Sequence, residues 1–272
     1  MDTAKTWMVV AVAVAAAAAV VAAAIALAWT VRTRHGRRPI INLSASRTQQ
    51  IPFIMHQTWK SRDLPPDYRQ YQKSWLDLNP GMEYRFYDDD DMHKYVRDHF
   101  PEYLDLYEAR PTIVEKTDLW RYMVVLREGG FYADMDTSCV KPIEPLRRHR
   151  AVVGIEQILP ERVQYLQWFF GATPGHPLLR EALEEAKRRH RAGAWRAMHT
   201  DQQVLFVTGP EAFSAAVVRI SRAQPESVRV FPLGVLGLYN IHLLPAAIRK
   251  RAYLVHHFRG SWKSFWPKIL QN

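Results

Sequence analysis

Apolar and polar positions divide the chain into an apolar N-terminal segment and a long mixed region. No charged residue occurs between Thr6 and Val31, and the apolar stretch Trp7–Trp29 is long enough to cross a bilayer as a helix. Tryptophan at each end of the stretch suits the interfacial zones of a membrane. We therefore expect a membrane anchor over residues 1–31. A cleaved signal peptide is the alternative, although its apolar core is usually shorter.

Beyond this segment the pattern is that of a stem followed by an α/β domain. Residues 32–50 are basic and polar without a hydrophobic period, which predicts a linker. Ile51–His56 is typical of a buried strand, Asp67–Leu78 has helical spacing, and Glu83–Tyr87 alternates as a second strand. This order predicts a parallel sheet within residues 51–272, with ligands beyond the carboxyl ends of its strands.

The pattern continues through the middle of the chain. Asp88–Asp91 is placed to cap a helix, and Thr112–Leu126 again has helical spacing. Gly129-Gly130 predicts the end of that helix in a left-handed turn. Phe131-Tyr132-Ala133 is then expected to be a strand. Two later strands, at Ala151–Ile155 and Gln167–Ala172, and a helix starting at Thr208-Gly209-Pro210 complete the prediction.

Two carboxylates, Asp134 and Asp136, directly follow the predicted strand at Phe131. At positions i and i+2 they would project to the same side of an extended backbone. Carboxylate oxygens at such a site suit Mg²⁺ or Mn²⁺. A divalent cation is what a diphosphate leaving group requires, so the pair predicts sugar transfer from a nucleotide-sugar. For an isolated Asp-x-Asp, a solvated surface pair is the common alternative.

Charge and cysteine content narrow the possible partners. The net charge of +10 favours anionic partners such as nucleotide diphosphates or phospholipid headgroups. The sequence contains no zinc-finger spacing, helix-turn-helix signature or RNA-binding aromatic motif, so we expect no nucleic acid partner. The single cysteine, Cys139, excludes an intrachain disulfide and is expected to be a buried apolar residue.

Several other residues are candidates for the same site. Asp118 and Arg121 share one helix face and are suited to sugar hydroxyls and diphosphate, although an ordinary surface ion pair has the same spacing. Trp59 is a candidate for stacking on the nucleobase, or else an aromatic residue of the core. The third metal ligand is expected to be His256 or His257, since imidazole suits Mn²⁺.

The C-terminal segment supplies two further candidates. Lys263, beside Trp262, is placed to meet a phosphate of the donor, and an ordinary solvated lysine is the alternative.

Together these segments resemble glycosyltransferase family 32. The resemblance spans roughly Ile51 to Lys263 and rests on three ordered motifs, which are Ile51-Pro52-x-Ile54-x-His56-Gln57-Thr58-Trp59-Lys60, Asp118-Leu119-Trp120-Arg121-Tyr122 and Gly129-Gly130-Phe131-Tyr132-Ala133-Asp134-Met135-Asp136. Two distal segments, Thr208-Gly209-Pro210 and His256…Gly260-Ser261-Trp262, also fit the family's pattern. The family includes initiation-specific α-1,6-mannosyltransferases and inositol phosphoceramide mannosyltransferases. Phe53 departs from the basic residue that is usual after the Ile-Pro pair.

The resemblance implies a fold, a reaction and residue roles. It implies a GT-A fold, in which helices flank a Rossmann-like, mixed but mostly parallel sheet, and a metal-dependent, anomer-retaining transferase. It implies that Trp59 stacks on the nucleotide base and that Asp118 and Arg121 contact the donor. Asp134 and Asp136 would bind the metal and the ribose or sugar. By family frequency the donor is GDP-mannose, and the acceptor is a glycan or a glycolipid of the inositol phosphoceramide type.

Location and alternative functions stay open at this stage. Family precedent implies a single-pass Golgi or ER protein with a lumenal catalytic domain, and the sequon Asn42-Leu43-Ser44 agrees. Four arginines directly follow the span and favour the opposite orientation; they are Arg32, Arg34, Arg37 and Arg38. The alternatives are a UDP-sugar transferase, a catalytically silent subunit of a glycosyltransferase complex with a regulatory partner, and a two-metal phosphotransferase or nuclease using Asp88–Asp91.

Overall fold

A computed structural model of the chain describes residues 49–237 and 250–259. The predicted anchor at Trp7–Trp29, most of the stem, and Trp262 and Lys263 lie outside these residues. Within them, the run Thr200–Ala223 is long and apolar enough to span a membrane. Its most apolar window is 56% buried inside the domain, as in the core helix of a globular protein.

The described residues form a mixed α/β domain. In chain order its strands and helices are β1 (Ile54–Thr58), α1 (Pro66–Leu78), β2 (Glu83–Tyr87), α2 (Asp89–His99), α3 (Leu104–Glu108), α4 (Ile113–Glu128), β3 (Gly130–Ala133), β4 (Thr137–Cys139), β5 (Ala151–Ile158), β6 (Val163–Ala172), α5 (Pro177–Ala192), α6 (Thr200–Gln203), α7 (Pro210–Ala223), β7 (Arg229–Phe231) and β8 (Leu254–His256). A π-helical turn, Val204–Thr208, connects α6 to α7.

Six of these strands form one sheet in the order β2-β1-β3-β6-β5-β7, and β4 pairs with β8 in a separate two-stranded sheet. The pairs β1–β2, β1–β3 and β5–β7 are parallel, whereas β6 runs antiparallel to both of its neighbours. The expected mixed, mostly parallel sheet is therefore confirmed. An all-parallel sheet, which the strand–helix order alone predicts, is wrong because β5 and β6 form a long antiparallel hairpin.

Helix ends follow the sequence signals closely. Asp88 caps α2 and exchanges reciprocal hydrogen bonds with Asp91 in a capping box. Thr112 caps α4, and Gly129 and Gly130 both adopt positive φ (68° and 93°) between α4 and β3. The strand prediction at Ile51–His56 starts too early, because β1 begins at Ile54 and continues through Gln57 and Thr58.

Buried apolar residues form two clusters, and each cluster contains different residues of the sheet. One cluster includes Trp120, Tyr122, Phe170 and Phe213 and packs helices α2, α4, α5 and α7 on the sheet. The other includes Trp75 of α1 and Phe131, Phe169 and Trp168. The two clusters hold the strands in place, so the loop that follows β3 starts from a closely packed part of the domain.

Candidate active site

Asp134 and Asp136 lie in a tight turn between β3 and β4. The backbone N–H of Thr137 donates to the carbonyl of Asp134 at 3.2 Å, and the Thr137 hydroxyl donates to the same oxygen at 2.6 Å. The two carboxylates therefore converge because of a turn, and the expected extended backbone is wrong. Met135 between them is buried. We refer to residues Asp134–Thr137 as the DXD turn.

Neighbouring strands hold the DXD turn in place. The backbone N–H of Asp134 donates to the carbonyl of Trp168 on β6 at 2.9 Å. Gln57 on β1 donates its amide to the Asp134 carbonyl at 3.2 Å and accepts from the Tyr84 hydroxyl at 2.8 Å. The indole of Trp75 donates to the carbonyl of Thr137 at 3.0 Å. The backbone of the turn is thus fixed from β1, β6 and α1.

His256, at the end of β8, completes a cluster of three candidate metal ligands with Asp134 and Asp136. One ligand atom from each residue lies within 4.8 Å of the others. The His256 Nε2 atom is 3.3 Å from Asp136 Oδ1 and 3.7 Å from Asp134 Oδ2. Two carboxylates and one imidazole match the donor preferences of Mn²⁺, so the residues fit the predicted cation.

Further contacts fix the members of this cluster. The Phe258 N–H donates to His256 Nδ1 at 3.1 Å, so the His256 proton lies on Nε2 and points at the carboxylates. Phe258 adopts φ 46°, a backbone conformation that is costly for a bulky residue. The N–H of Arg259 donates to Asp136 Oδ2 at 3.0 Å, and the Trp168 ring lies 4.6 Å from the imidazole.

Arg121 joins the DXD turn to the buried helix α4. Its guanidinium lies 3.2 Å from Asp134 Oδ1 and 3.2 Å from Asp118 Oδ1. It also donates to the Gln167 carbonyl at 3.2 Å and stacks over the Tyr132 ring at 4.5 Å. The Tyr132 hydroxyl donates to Asp134 Oδ1 at 2.7 Å. Arg121 is 5% exposed and Asp118 is 1% exposed, so the surface ion-pair alternative is wrong.

Burial and neighbouring charges shift the pKa values of these carboxyls. Burial raises the pKa of Asp118 to about 7, although Arg121 and the hydrogen bond from Thr208 act in the opposite direction. Burial opposes ionisation of Asp134 as well, but Arg121 and His256 hold its pKa below the ordinary value. Burial raises the pKa of Asp136 despite His256, and the adjacent Asp134 adds to the rise. A bound cation would relieve this repulsion.

A buried carboxylate and arginine directly behind an Asp-Asp-His cluster form a polar site at the carboxyl end of β3, where the sheet predicts a ligand. Residues 65–153 match the family described as "glycosyltransferase sugar-binding region containing DXD motif", and this match includes the DXD turn and Arg121. The chain is therefore similar to this family over residues 65–153.

Curated proteins similar to this chain include fungal mannosyltransferases. The inositol phosphoceramide mannosyltransferase 3 of Schizosaccharomyces pombe is 31% identical over 144 residues, which is 53% of this chain and 39% of that protein. The initiation-specific α-1,6-mannosyltransferase of Candida albicans is 27% identical over 218 residues, or 68% of this chain and 57% of that protein. The matches thus span less than two thirds of either relative.

Solved structures that align with the chain include two glycosyltransferases. The PaToxG glycosyltransferase aligns with a TM-score of 0.48 and 17% identity, covering 65% of this chain and 71% of that one. The galactosyltransferase LgtC, in complex with donor and acceptor sugar analogues, aligns with a TM-score of 0.43 and 10% identity, covering 75% of this chain and 86% of that one.

Trp59 and His257 flank the candidate site without joining the Asp134–Asp136–His256 cluster. Trp59 follows β1, and its ring packs on Tyr68 of α1 at 4.3 Å. Burial and then the charge of Asp136 raise the pKa of Tyr68 to about 12. His257 stacks on Tyr71 at 4.0 Å and bonds Ser138 Oγ through Nε2 at 2.9 Å. Of the two candidate histidines, the structure therefore brings only His256 to the carboxylates.

Sequence reasoning missed three supporting residues. Tyr132, Trp168 and Gln57 hold the DXD turn or His256, yet each lies in an apolar strand pattern where an aromatic or amide side chain indicates only burial. Of the three, only Tyr132 could have been found from the sequence. It precedes Asp134 by two residues, and side chains at positions i and i+2 of a strand lie on the same face.

Proposed function

We propose that the protein is a metal-dependent, retaining hexosyltransferase that transfers mannose from GDP-mannose to a glycan or glycolipid acceptor. The observation that supports this most strongly is the Asp134–Asp136–His256 cluster, fixed through Arg121 to the buried carboxylate of Asp118. The choice of mannose rests on the relatives, which include inositol phosphoceramide mannosyltransferases and an α-1,6-mannosyltransferase.

In this proposal Asp134, Asp136 and His256 hold Mn²⁺ or Mg²⁺. When bound, the cation offsets the charge that develops on the departing nucleotide diphosphate. For His256 to ligate through Nε2, its proton must move to Nδ1, and the Phe258 N–H must then release that nitrogen. Phe258, whose φ is 46°, thus lies next to the nitrogen that would carry this proton.

The remaining residues bind and orient the donor. Trp59 offers its ring to the nucleobase at the carboxyl end of β1. Asp118 accepts hydrogen bonds from sugar hydroxyls, while Arg121 holds Asp134 and lies next to the diphosphate. Trp262 and Lys263, with His257 at the rim, would contact the phosphates from the C-terminal segment. These contacts hold the donor sugar in a single geometry for attack.

For the retaining step we propose front-face displacement. The acceptor hydroxyl attacks the anomeric carbon on the face from which the phosphate departs, the bond from that carbon to the phosphate oxygen breaks, and the phosphate oxygen takes the hydroxyl proton. A covalent glycosyl-enzyme on one Asp or Glu would contradict this route.

The proposed cellular setting follows from sequence and family precedent. Residues 1–31 anchor the chain in a Golgi or ER membrane, residues 32–50 form a stem, and residues 51–272 form a lumenal catalytic domain. Glycosylation of Asn42 in a eukaryotic host would support this orientation. A stem that is protected from glycosylation but accessible from the cytosol would contradict it.

A donor screen by nucleotide release tests the proposal. GDP-mannose, UDP-glucose, UDP-galactose and UDP-N-acetylglucosamine are each incubated with the full chain and Mn²⁺, Mg²⁺ or EDTA. We expect GDP release from GDP-mannose that requires the metal and is lost in Asp136→Asn. The matched control is Asp98→Asn, an exposed carboxylate paired with Lys94 on α2. Preferential release of UDP would favour the UDP-sugar alternative, and no release with any donor would favour a silent subunit.

The phosphotransferase alternative receives no support from Asp88–Asp91. Asp88 and Asp91 are engaged in the capping box of α2 and in ion pairs with Arg62. They are therefore occupied by helix and loop contacts and do not form a second metal site with the DXD turn.

A further inference from the structure

The segment that joins α6 to α7 brings one polar side chain to the buried carboxylate of Asp118. This segment is the π-helical turn Val204–Thr208, which closes through a hydrogen bond from the Gly209 N–H to the Val204 carbonyl at 2.8 Å. The hydroxyl of its last residue, Thr208, donates to Asp118 Oδ2 at 2.8 Å. Single π-helical turns are rare and occur frequently at functional sites, so the contact with Asp118 calls for an explanation.

Contacts from two helices fix the position of the π-helical turn. From α5, Arg189 donates to the Phe206 carbonyl at 2.7 Å, and its guanidinium lies 4.5 Å from the centroid of the Phe206 ring. From α4, the Tyr122 hydroxyl donates to the Thr208 carbonyl at 2.8 Å. Thr208 and Tyr122 are both fully buried. The turn is therefore held between α4 and α5, and the Thr208 hydroxyl has a defined position.

Thr208 belongs to a closed ring of contacts around Asp118. Its hydroxyl donates to Asp118 Oδ2, and its carbonyl accepts from the Gln167 amide at 3.3 Å. The Gln167 carbonyl accepts from Arg121 at 3.2 Å, and Arg121 lies 3.2 Å from Asp118 Oδ1. Each oxygen of the Asp118 carboxylate thus has its own partner, and a rotation of the carboxylate would break these contacts.

We propose that Thr208 is a positioning residue, whose hydroxyl fixes the Asp118 carboxylate in the orientation and ionised form in which it contacts the donor sugar. A hydrogen bond donated to a buried carboxylate stabilises its charged form over its neutral form. A carboxylate oxygen accepts more than one hydrogen bond, so the contacts with Arg121 and Thr208 leave acceptor sites for sugar hydroxyls. The proposal rests on the proposed function, in which Asp118 binds the sugar.

The ionisation of Asp118 makes this role measurable. Burial raises the pKa of Asp118 to about 7, while Arg121 and then the Thr208 hydrogen bond act in the opposite direction. Without the hydroxyl the pKa should rise further, so that less of the carboxylate is ionised near neutral pH. The groups that face Asp118 within the described residues are Arg121, Tyr122, Tyr132 and Asp134.

None of these neighbours changes its charge near pH 7. Burial raises the pKa of Tyr122 and of Tyr132 well above the ordinary value. Arg121 and His256 hold the pKa of Asp134 below its ordinary value, and the arginine stays protonated. A variant at Thr208 whose activity relative to wild type changes between pH 6 and pH 8 therefore reports on Asp118.

Nucleotide release by the full chain at these two pH values tests the proposal. The donor is GDP-mannose with Mn²⁺, or the UDP-sugar that supports release by the wild type. Thr208→Val keeps the shape of the side chain and lacks the hydroxyl. At pH 6 we expect its rate to be about tenfold below that of the wild type. At pH 8, where more of the carboxylate is ionised, the deficit should be no more than about threefold.

Three further variants separate the hydroxyl from other effects. Thr208→Ser keeps the hydroxyl and should stay within about twofold of the wild type, whereas Thr208→Ala, of similar size, should behave as Thr208→Val. This pair carries the test if Thr208→Val folds poorly by circular dichroism. Thr117 on α4 has a hydroxyl that donates to the Ile113 carbonyl at 2.9 Å, and Thr117→Val should keep the wild-type rate at both pH values.

The outcomes distinguish this proposal from the proposed function. Wild-type rates in Thr208→Val, an equal deficit at pH 6 and pH 8, or equal deficits in Thr208→Ser and Thr208→Ala would overturn the positioning role while leaving the transferase function in place. Absence of release by the wild type with every donor would show that the transferase function is wrong, and the positioning role would fail with it.

Discussion

Arg121 and Asp134 lie 3.2 Å apart between Nη1 and Oδ1, and this contact ties the buried helix α4 to the DXD turn. The same guanidinium holds Asp118 through Nη2 at 3.2 Å. One guanidinium thus pairs with two carboxylates, of which Asp118 is buried and Asp134 is partly exposed. The arrangement combines stability with function, since Asp134 is a proposed metal ligand and Asp118 a proposed sugar contact.

Replacing Arg121 should destabilise the fold as well as abolish activity. Arg121→Ala leaves Asp118 buried without its counter-charge, so we expect the free energy of unfolding to fall by about 3 kcal/mol or more. Arg121→Lys keeps the charge but not the forked geometry, and should be less destabilised yet still impaired in donor hydrolysis. Urea unfolding and nucleotide release measure the two effects. Arg127→Lys on the same helix is the control, and an Arg121→Ala protein as stable as wild type would contradict the account.

Removing the Tyr132 hydroxyl should weaken metal binding while keeping the ring under Arg121. The hydroxyl donates to Asp134 Oδ1 at 2.7 Å and so helps to fix that carboxylate. For Tyr132→Phe we expect Mn²⁺ affinity, measured by the paramagnetic resonance of free Mn²⁺, to fall about tenfold. Tyr95→Phe removes a comparable hydroxyl bonded to Glu128 and should leave the affinity unchanged. Unchanged affinity in Tyr132→Phe would show that this hydroxyl does not position Asp134.

Gly130 should tolerate no side chain, because its φ is 93° and an added Cβ would lie 2.7 Å from the carbonyl oxygen of Ile54. Gly81 has a similar φ of 83° but nothing within 4 Å of an added Cβ. We expect Gly81→Ala to cost about 1 kcal/mol for backbone strain alone and Gly130→Ala at least about twice as much. Thermal and urea unfolding of the two variants give the comparison, and equal losses would contradict the close approach of β3 to β1.

Acid should destabilise the fold through buried histidines. Burial lowers the pKa of His176 from 6.5 to about 4, where its Nδ1 accepts from the Leu178 N–H as the cap of α5. Between pH 6.5 and 4 the unfolded chain binds a proton at this position that the folded chain does not. Above pH 6.5 the imidazole is neutral in both states and does not affect stability. As the pH falls from 6.5 to 4 the free energy of unfolding therefore decreases, and the loss is about 2 kcal/mol at pH 5.

His176→Asn isolates this effect. Asparagine keeps a capping acceptor but cannot titrate, so the dependence of unfolding free energy on pH between 4 and 6.5 should become shallower by close to one proton. An identical slope in His176→Asn and wild type would mean that folding does not change the protonation of His176, which would contradict the lowered pKa.

The sequence predicted most elements because local signals and packing agree there. Asp88 and Thr112 cap helices, Gly129 and Gly130 turn the chain, and Asp118 and Arg121 share one helix face. Strand direction was less accessible, since the antiparallel course of β6 depends on the hairpin with β5 and its pairing to β3. Pairing partners are set by tertiary packing, which a local pattern does not encode.

Within the site, sequence identified the charged residues but not their supports. A pair of adjacent histidines gives no local reason to prefer His256 over His257, and only the pairing of β8 with β4 directs His256 toward the carboxylates. Likewise, Trp168 contacts His256 across more than eighty positions of the chain. Roles that depend on such distant contacts follow from the folded arrangement, whereas ligand chemistry is readable from residue type and spacing.

Mn²⁺ titration of the full chain, with and without GDP and followed by the resonance of free Mn²⁺, tests the central claim most directly. The account predicts one bound ion per chain, tighter binding when GDP is present, and loss of that ion in Asp136→Asn but not in Asp98→Asn. Failure of the wild-type chain to take up Mn²⁺, or uptake by Asp136→Asn with wild-type affinity, would contradict it.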